Sequence, residues 1–300
     1  MRPTLFVVYE DMKTVKDNFS IKVVLLSILI ISVLPYVILS RFSGLGSEIS
    51  NTVSVLLILM QLLLPYLAMR LSYTSISGEI ERNNHRLLLT FPVSRLNLVL
   101  GKWISRSIAT AVGVLLYVST SLITSTVVYN SMNIQDVAWI TFTTMLLGTV
   151  FCAIGVTVSC VTDASSIVPD VLITLVYLPV VLFWRIVPFL IKIISEGGGV
   201  SNLPSPDYSG FDYLLLRLNP LESHASLVSW GISSDINIFI PSSLRVPDVV
   251  SGGILTYSTT PTEPTQVPIY AQEMITVPLS VLIPIALMAY GYWKFKNKEL

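Results

Sequence analysis

Side chains that could support catalysis or bind a metal are few in this sequence. It contains two histidines, His85 and His224, and two cysteines, Cys152 and Cys160. The histidines fall in segments that the topology below places on opposite sides of a membrane, so they cannot share a metal ion. The cysteines belong to one apolar segment, where their spacing sets them about 80° apart around a helix. We therefore interpret both cysteines as buried free thiols and expect neither a disulfide nor a metal site.

A partial match to a nucleotide-binding loop occurs at Gly101-Lys102. A complete loop of this type reads G-x-x-x-x-G-K-[ST], because its glycines let the backbone amides surround a phosphate. Here Leu96 stands in place of the first glycine, and Trp103 replaces the hydroxyl residue that holds magnesium. The sequence therefore indicates that this chain does not hydrolyse ATP by itself.

The most charged stretch of the chain runs from residue 77 to residue 106. Glu79, Arg82 and Arg86 are spaced to lie on one side of a short helix, and three leucines follow. Pro92 would end this helix, and Ser94 can cap the next one. A short helix with an apolar patch and flanking charges suits docking into a groove of a soluble partner. An ordinary charged loop remains the alternative.

The elements that position this stretch follow from composition. Of the 300 residues, 53% are hydrophobic and 12% charged, and the mean hydropathy is +0.74. A soluble domain averages about 25% charged residues. The apolar residues form long blocks without the polar alternation of barrel strands. These blocks predict an all-α polytopic membrane protein with six transmembrane helices, at Val23–Leu39, Val53–Ser72, Ile108–Val128, Ile140–Cys160, Val171–Pro188 and Val277–Tyr292.

The orientation follows from the basic residues. With the N-terminus in the cytoplasm, 13 of the 18 Lys and Arg residues lie on the inner side of the membrane. Both termini are therefore predicted to be cytoplasmic. No secretory or organelle signal is present, so we expect a prokaryotic cell membrane.

The spans carry few groups that could couple transport to an ion gradient. Arg70, Asp170 and Arg185 lie only at the ends of spans, where snorkelling or capping is expected. The third and fourth spans are rich in Ser and Thr, which could line a polar pathway or bond to neighbouring helices. A transporter without a visible energy source suggests a partner that supplies it.

An amphipathic segment precedes the first span. Residues 1–20 place Leu5, Val8, Met12, Val15 and Phe19 at helical spacing, with Glu10, Asp11, Lys13, Lys16 and Asp17 on other faces. This pattern predicts an amphipathic helix in the cytoplasmic membrane interface, or alternatively a soluble helix that caps the bundle.

A long extracytoplasmic loop, residues 192–273, separates the fifth and sixth spans. Within it, Asn219-Pro220 is typical of a helix cap and first helical residue. Leu221, His224 and Val228 follow at helical spacing. We predict a short helix there that dips toward the outer membrane surface. The whole chain is then a single transmembrane domain, 1–300, with its cytoplasmic loop at 73–106.

The charged stretch resembles the signature of ABC transporter permeases of the ABC-2 superfamily. In that signature two acidic residues lead to a leucine pair, then to P-V-S-R, then to G-K at the start of the third span. The matching positions are Glu79 and Glu81, Leu88-Leu89, Pro92-Val93-Ser94-Arg95 and Gly101-Lys102. Asn83-Asn84 replaces the Gly-Thr pair of the family pattern.

The resemblance implies a permease subunit of an ATP-driven exporter. It implies a homodimer of permeases above two cytoplasmic ATP-binding subunits, which hold ATP and magnesium, in a lipid bilayer and without nucleic acid. No cofactor, metal or catalytic residue is expected on this chain. A coupling helix, Gly78–Leu89, would dock in the ATPase, with a smaller contact from Thr162–Pro169. The implied coupling residues are Gly78, Glu79, Glu81, Arg82, Leu88, Leu89, Pro92, Arg95, Gly101 and Lys102.

Other functions remain open. A stand-alone carrier or channel is disfavoured by the lack of charge within the spans. A non-transporting membrane anchor or assembly protein would use the same cytoplasmic loop to recruit a partner and the outer loop to bind a ligand. The sequence does not indicate a substrate.

Overall fold

The computed structural model describes residues 3–17, 26, 30, 33, 49–81, 94–129, 134–162, 167–177, 219–231 and 273–297. These residues form helices and no strand. The helices are α1 (Pro3–Asp17), α2 (Ile49–Ser72), α3 (Ser77–Glu81), α4 (Arg95–Tyr129), α5 (Ile134–Val161), α6 (Ile167–Tyr177), α7 (Pro220–Gly231) and α8 (Glu273–Lys296).

Helices lie where the apolar blocks predict them. Helices α2, α4, α5 and α8 cover the second, third, fourth and sixth blocks, and α6 covers the beginning of the fifth. Most of the first block, the end of the fifth and most of the outer loop lie outside the described residues. Within the described part, α5 and the Arg95–Thr124 portion of α4 are long and apolar enough to cross a membrane.

Helix α4 extends well beyond its apolar block. It begins at Arg95, thirteen residues before the block starts at Ile108, and it has 35 residues in all. At about 1.5 Å per residue the helix is roughly 52 Å long, whereas the hydrocarbon core of a bilayer is about 30 Å thick. The Ser94 hydroxyl caps its first turn by accepting the amide of Asn97 at 3.2 Å, as predicted. One continuous helix therefore carries the basic residues of the charged stretch into the apolar block.

Helix α5 lies at the centre of the bundle and contacts α2, α4, α6, α7 and α8. Its side chains at Phe151, Cys152, Val156 and Cys160 are completely buried. Both cysteines are free and buried, as the sequence predicts. These five helices are therefore positioned mainly by their contacts with α5.

The outward faces of α4 and α8 are apolar along much of their length. Ile104, Ile108 and Val112 of α4 recur one turn apart and are all exposed, and Leu282 and Ile285 of α8 are more than half exposed. Water would disfavour an apolar surface of this extent on a lone soluble chain. A lipid environment accounts for it.

The hydroxyl groups of the third and fourth blocks mostly bond within their own helices. Thr124, Thr141 and Thr157 each donate to a backbone carbonyl four residues earlier. Thr110 and Thr144 instead contact side chains of neighbouring helices, at Cys152 and His224. Both kinds of contact satisfy the hydroxyls without requiring a polar pathway.

Helix α7 begins at the predicted cap, where the Asn219 side-chain oxygen accepts the amide of Leu221 at 3.0 Å. His224 is buried and bridges two other helices. Its Nδ1 lies 3.1 Å from Nε2 of Gln61 in α2, and its Nε2 lies 3.3 Å from the Thr144 hydroxyl in α5. With the Gln61 amide nitrogen as donor, Nδ1 accepts and Nε2–H donates, so a neutral imidazole satisfies both contacts. Polar contacts therefore anchor α7 among the long helices.

Helices α2 and α5 approach each other closely at Gly155. A Cβ atom at this position would lie 2.8 Å from the Met69 carbonyl oxygen and 2.8 Å from the Ser72 Cβ. The first of these is a backbone atom, which cannot move aside without shifting α2. Small residues allow such close approach between membrane helices.

We predict that Gly155→Ala lowers the free energy of unfolding by about 1–3 kcal/mol, because the two helices must separate to admit the methyl group. Gly78→Ala is a suitable control, since its Cβ would lie 3.4 Å from the Thr74 Cβ, an ordinary contact. The control should be neutral or slightly stabilising. Denaturant titration of each variant in detergent micelles measures the difference. Equal stability of the two variants would contradict the close packing of α2 and α5.

Candidate functional site: a buried ion cluster at the start of α4

Helix α1 packs against the beginning of α4 with a face that contains Val7 and Asp11. Val7 and Asp11 are almost fully buried, whereas Leu5 is 54% exposed. Asp11 thus lies on a different face of α1 from Leu5, and this face packs against α4. The physical reason is that α4 supplies buried cations for this carboxylate, so a charged residue occupies the packed face.

Gly101 makes room for α1 on the surface of α4. A Cβ atom at Gly101 would lie 2.6 Å from Cγ1 of Val7 and 3.3 Å from the Thr4 carbonyl oxygen. Thr4 also donates from its hydroxyl to the side-chain oxygen of Asn97 at 3.1 Å. Gly101 therefore forms part of the surface that receives α1.

Lys102 lies at the centre of the cluster. Its ammonium nitrogen is 2.5 Å from Oδ1 of Asp11 in α1, and it also pairs with Oε1 of Glu79 in α3. Arg106 donates from Nη2 to Asp11 Oδ1 at 3.0 Å, and the Ser105 hydroxyl donates to Asp11 Oδ2. Two carboxylates thus neutralise two cations, and the cluster joins α1, α3 and α4.

The two carboxylates have different surroundings. Burial alone would raise the pKa of Asp11, but the charges of Lys102 and Arg106 and the hydrogen bonds from Lys102 and Ser105 outweigh it and hold this pKa below its usual 3.8. The stabilising contribution of Asp11 is therefore present above pH 3.8 and is lost as the pH falls through the lowered value.

For Glu79 the balance is reversed. Burial is the larger effect and raises the pKa of this carboxyl above its usual 4.5, although the charge of Lys102 and its hydrogen bond oppose this increase. Its side chain also remains 23% exposed, whereas that of Asp11 is 1% exposed. Glu79 therefore protonates at a higher pH than Asp11.

Arg95 occupies a separate place at the first turn of α4. Its Nη1 donates to the backbone carbonyls of Phe295 at 2.9 Å and Lys296 at 2.7 Å, and its guanidinium lies over the Phe295 ring. It therefore satisfies carbonyls at the C-terminal end of α8. This contact joins the beginning of α4 to the last turn of α8.

The structure brings together part of the predicted coupling set. Gly78 and Glu79 lie on α3, Gly101 and Lys102 meet α1, and Arg95 meets α8. Only the backbone of Glu81 is described, and Arg82, Leu88, Leu89 and Pro92 lie outside the described residues. Whether any of these residues couples to a partner stays a prediction.

Asp11, Ser105 and Arg106 belong to the cluster although the predicted coupling residues do not include them. A signal was available in part, because residues 102, 105 and 106 share one face of a helix. That spacing shows that a polar face exists but not which segment covers it. Within the described part of the chain, no group of three or more His, Cys, Asp or Glu side chains is placed to hold a metal ion.

Comparison with known proteins decides the family. The sequence profile of ABC-2 family transporter proteins matches residues 4–300. The chain belongs to the ABC-2 family of transporter proteins. It is therefore the membrane subunit of an ABC transporter, as the resemblance of the charged stretch predicts.

A curated relative agrees with this assignment. The chain is 26% identical over 155 residues to a protein named as a probable ABC transporter permease protein, NosY, from Stutzerimonas stutzeri. The match covers 50% of this chain and 56% of the relative, so the chain spans about half the length of the curated relative that it matches.

We predict that Asp11→Asn destabilises the chain by about 3–5 kcal/mol, because it leaves buried Lys102 and Arg106 with one carboxylate fewer. Glu10→Gln is a matched control on the neighbouring position, where the side chain is only partly buried. The free energy of unfolding in detergent micelles checks the difference. Similar stability of Asp11→Asn and Glu10→Gln would show that the cluster does not hold α1 in place.

Proposed function

We propose that this chain is the six-span permease subunit of an ATP-driven exporter and that it couples to a separate cytoplasmic ATPase through the connection between α2 and α4. The observation that carries this proposal is the ion pair between Glu79 of α3 and Lys102 of α4. It ties a short helix on that connection to a helix long enough to cross the membrane and extend beyond it.

The contacts suggest how force passes from the ATPase to the spans. A partner that grips α3 moves Glu79, and Lys102 transmits this displacement to α4 because a buried ammonium resists separation from its carboxylates. Ser105 and Arg106 also bond to Asp11, so α1 moves with the beginning of α4. The result is a rigid-body displacement of helices, as in other two-state transporters.

The charge distribution supports a cytoplasmic location for this cluster. The charged stretch and both termini carry most of the basic residues, which favours the inner side of the membrane. An ATPase that hydrolyses cytoplasmic ATP with magnesium would meet the chain on this side. A second copy of the permease would complete the pathway, and residues 162–169 would supply the smaller contact with the ATPase.

The sharpest test concerns the loop between α3 and α4. We predict that Leu88→Asp and Glu81→Lys abolish co-purification of the ATP-binding subunit, because they remove the apolar patch and an acidic contact that fit its groove. Lys294→Glu is a control that also reverses a charge on the predicted cytoplasmic side, at an exposed residue of α8. The readout is the amount of ATP-binding subunit recovered per permease.

Two results would contradict the proposal. Undiminished co-purification with Leu88→Asp and Glu81→Lys would place the ATPase contact elsewhere. Transport by the purified chain in liposomes without any ATPase would identify a stand-alone carrier.

A further inference from the structure

The last turn of α5 holds the start of α3 through the side chain of Ser159. The Ser159 hydroxyl oxygen accepts two backbone amides, those of Ile76 at 2.8 Å and Ser77 at 3.0 Å. All three residues are almost fully buried. A single side chain of α5 therefore satisfies two amides at the beginning of the predicted coupling helix.

The backbone around these amides explains why they need a side-chain partner. The neighbouring amides of Tyr73, Ser75, Gly78 and Ile80 all donate to backbone carbonyls three or four residues earlier. The turn that joins α2 to α3 is thus nearly a continuation of the helix, with a break at residues 76 and 77. Buried amides at such a break destabilise a fold unless another group accepts them.

The hydrogen-bonding capacity of Ser159 is completely used. A hydroxyl has two acceptor lone pairs and one donor hydrogen. The two amides take the lone pairs, and the Ser77 hydroxyl lies 3.3 Å away with its own hydrogen directed to the Tyr73 carbonyl. The Ser159 hydrogen therefore points to the Ser77 hydroxyl, and a continuous hydrogen-bonded chain runs from α5 to the end of α2.

The same end of α5 is wedged between two other helices. Gly155 lies against the α2 backbone at Met69, one turn before Ser159. On the other side, a Cβ atom at Gly291 of α8 would lie 3.2 Å from the Cα of Thr157, which is a tight contact with the backbone of α5. Ser159 is thus on a segment that cannot shift without moving α2 and α8.

We propose that Ser159 is a positioning residue that fixes α3 to α5, so that a displacement of α3 reaches the central helix of the bundle as well as α4. This rests on the proposed function, because it assumes that an ATPase moves α3. The Glu79–Lys102 pair joins α3 to α4 and α1, whereas Ser159 joins it to α5 and, through α5, to α2 and α8. The two joints together transmit one motion to most of the described helices.

The first experiment tests the anchor on the permease alone. Ser159→Ala removes both acceptor contacts, and we expect amide hydrogen exchange in a peptide covering residues 73–81 to accelerate by about tenfold or more. Thr149→Ala is the matched control on α5, because among the described residues the Thr149 hydroxyl bonds to the Leu146 carbonyl of its own helix. Unchanged exchange in Ser159→Ala would overturn the proposal, whatever the ATPase does.

The second experiment tests transmission in the complex with the ATP-binding subunit that co-purifies with the chain. In Ser159→Ala we expect kcat for ATP hydrolysis per assembled complex to fall by about threefold or more, since the ATPase closes against a loosened α3. The KM for ATP should not change, because the nucleotide site lies on the other subunit.

The outcomes separate this proposal from the proposed function. A purely structural role would lower the yield of complex and leave kcat per complex unchanged, and that result would overturn the transmission role of Ser159. If the unmodified chain binds no ATPase, the proposed function and the transmission role both fail. Hydrogen exchange then still decides whether Ser159 anchors α3.

Discussion

A buried ammonium group must be neutralised where it lies, and Lys102 imposes this constraint on the end of the bundle where α1, α3 and α4 meet. Removing such a charge from water costs several kcal/mol unless carboxylates and hydrogen bonds surround it. The two carboxylates come from two different elements, Asp11 of α1 and Glu79 of α3. The position of each helix is therefore fixed by the electrostatics of the third, α4. The same helices also share an apolar cluster that includes Val7, Ile76 and Leu98, so charge and packing act together here.

The rest of the described bundle is organised by close packing around α5 rather than by charge. In a membrane, apolar contact between helices gains little over contact with lipid, so short interhelical distances and buried hydrogen bonds decide the arrangement. Gly155 allows a short distance between α5 and α2, and Ser159 accepts buried hydrogen bonds from the amides at the start of α3. The polar contacts of His224 do the same for α7. Helix α3 takes part in both kinds of contact, through the ion pair of Glu79 with Lys102 and through the hydrogen bonds to Ser159.

The sequence predicted the elements better than their partners. Apolar blocks located the long helices, and the capping residues Ser94 and Asn219 correctly marked two helix starts, because these signals are local. The sequence pattern separated Asp11 from the face of Leu5 but did not show that Asp11 packs against α4, since polarity shows which residues avoid lipid but not which ones find a buried counter-ion. Ser159 was overlooked for a related reason. A serine in an apolar helix gives no sign that two distant amides need it.

The central claim is that Lys102 of α4 holds α1 through Asp11. A double-mutant cycle of Asp11→Asn and Lys102→Met, with the free energy of unfolding measured in detergent micelles, tests it most directly. We predict a coupling energy of about 1–3 kcal/mol, because the second substitution removes a buried charge that the first has already deprived of one of its two carboxylates. Effects that add within about 0.5 kcal/mol would contradict the claim and would show that the two side chains stabilise the chain independently.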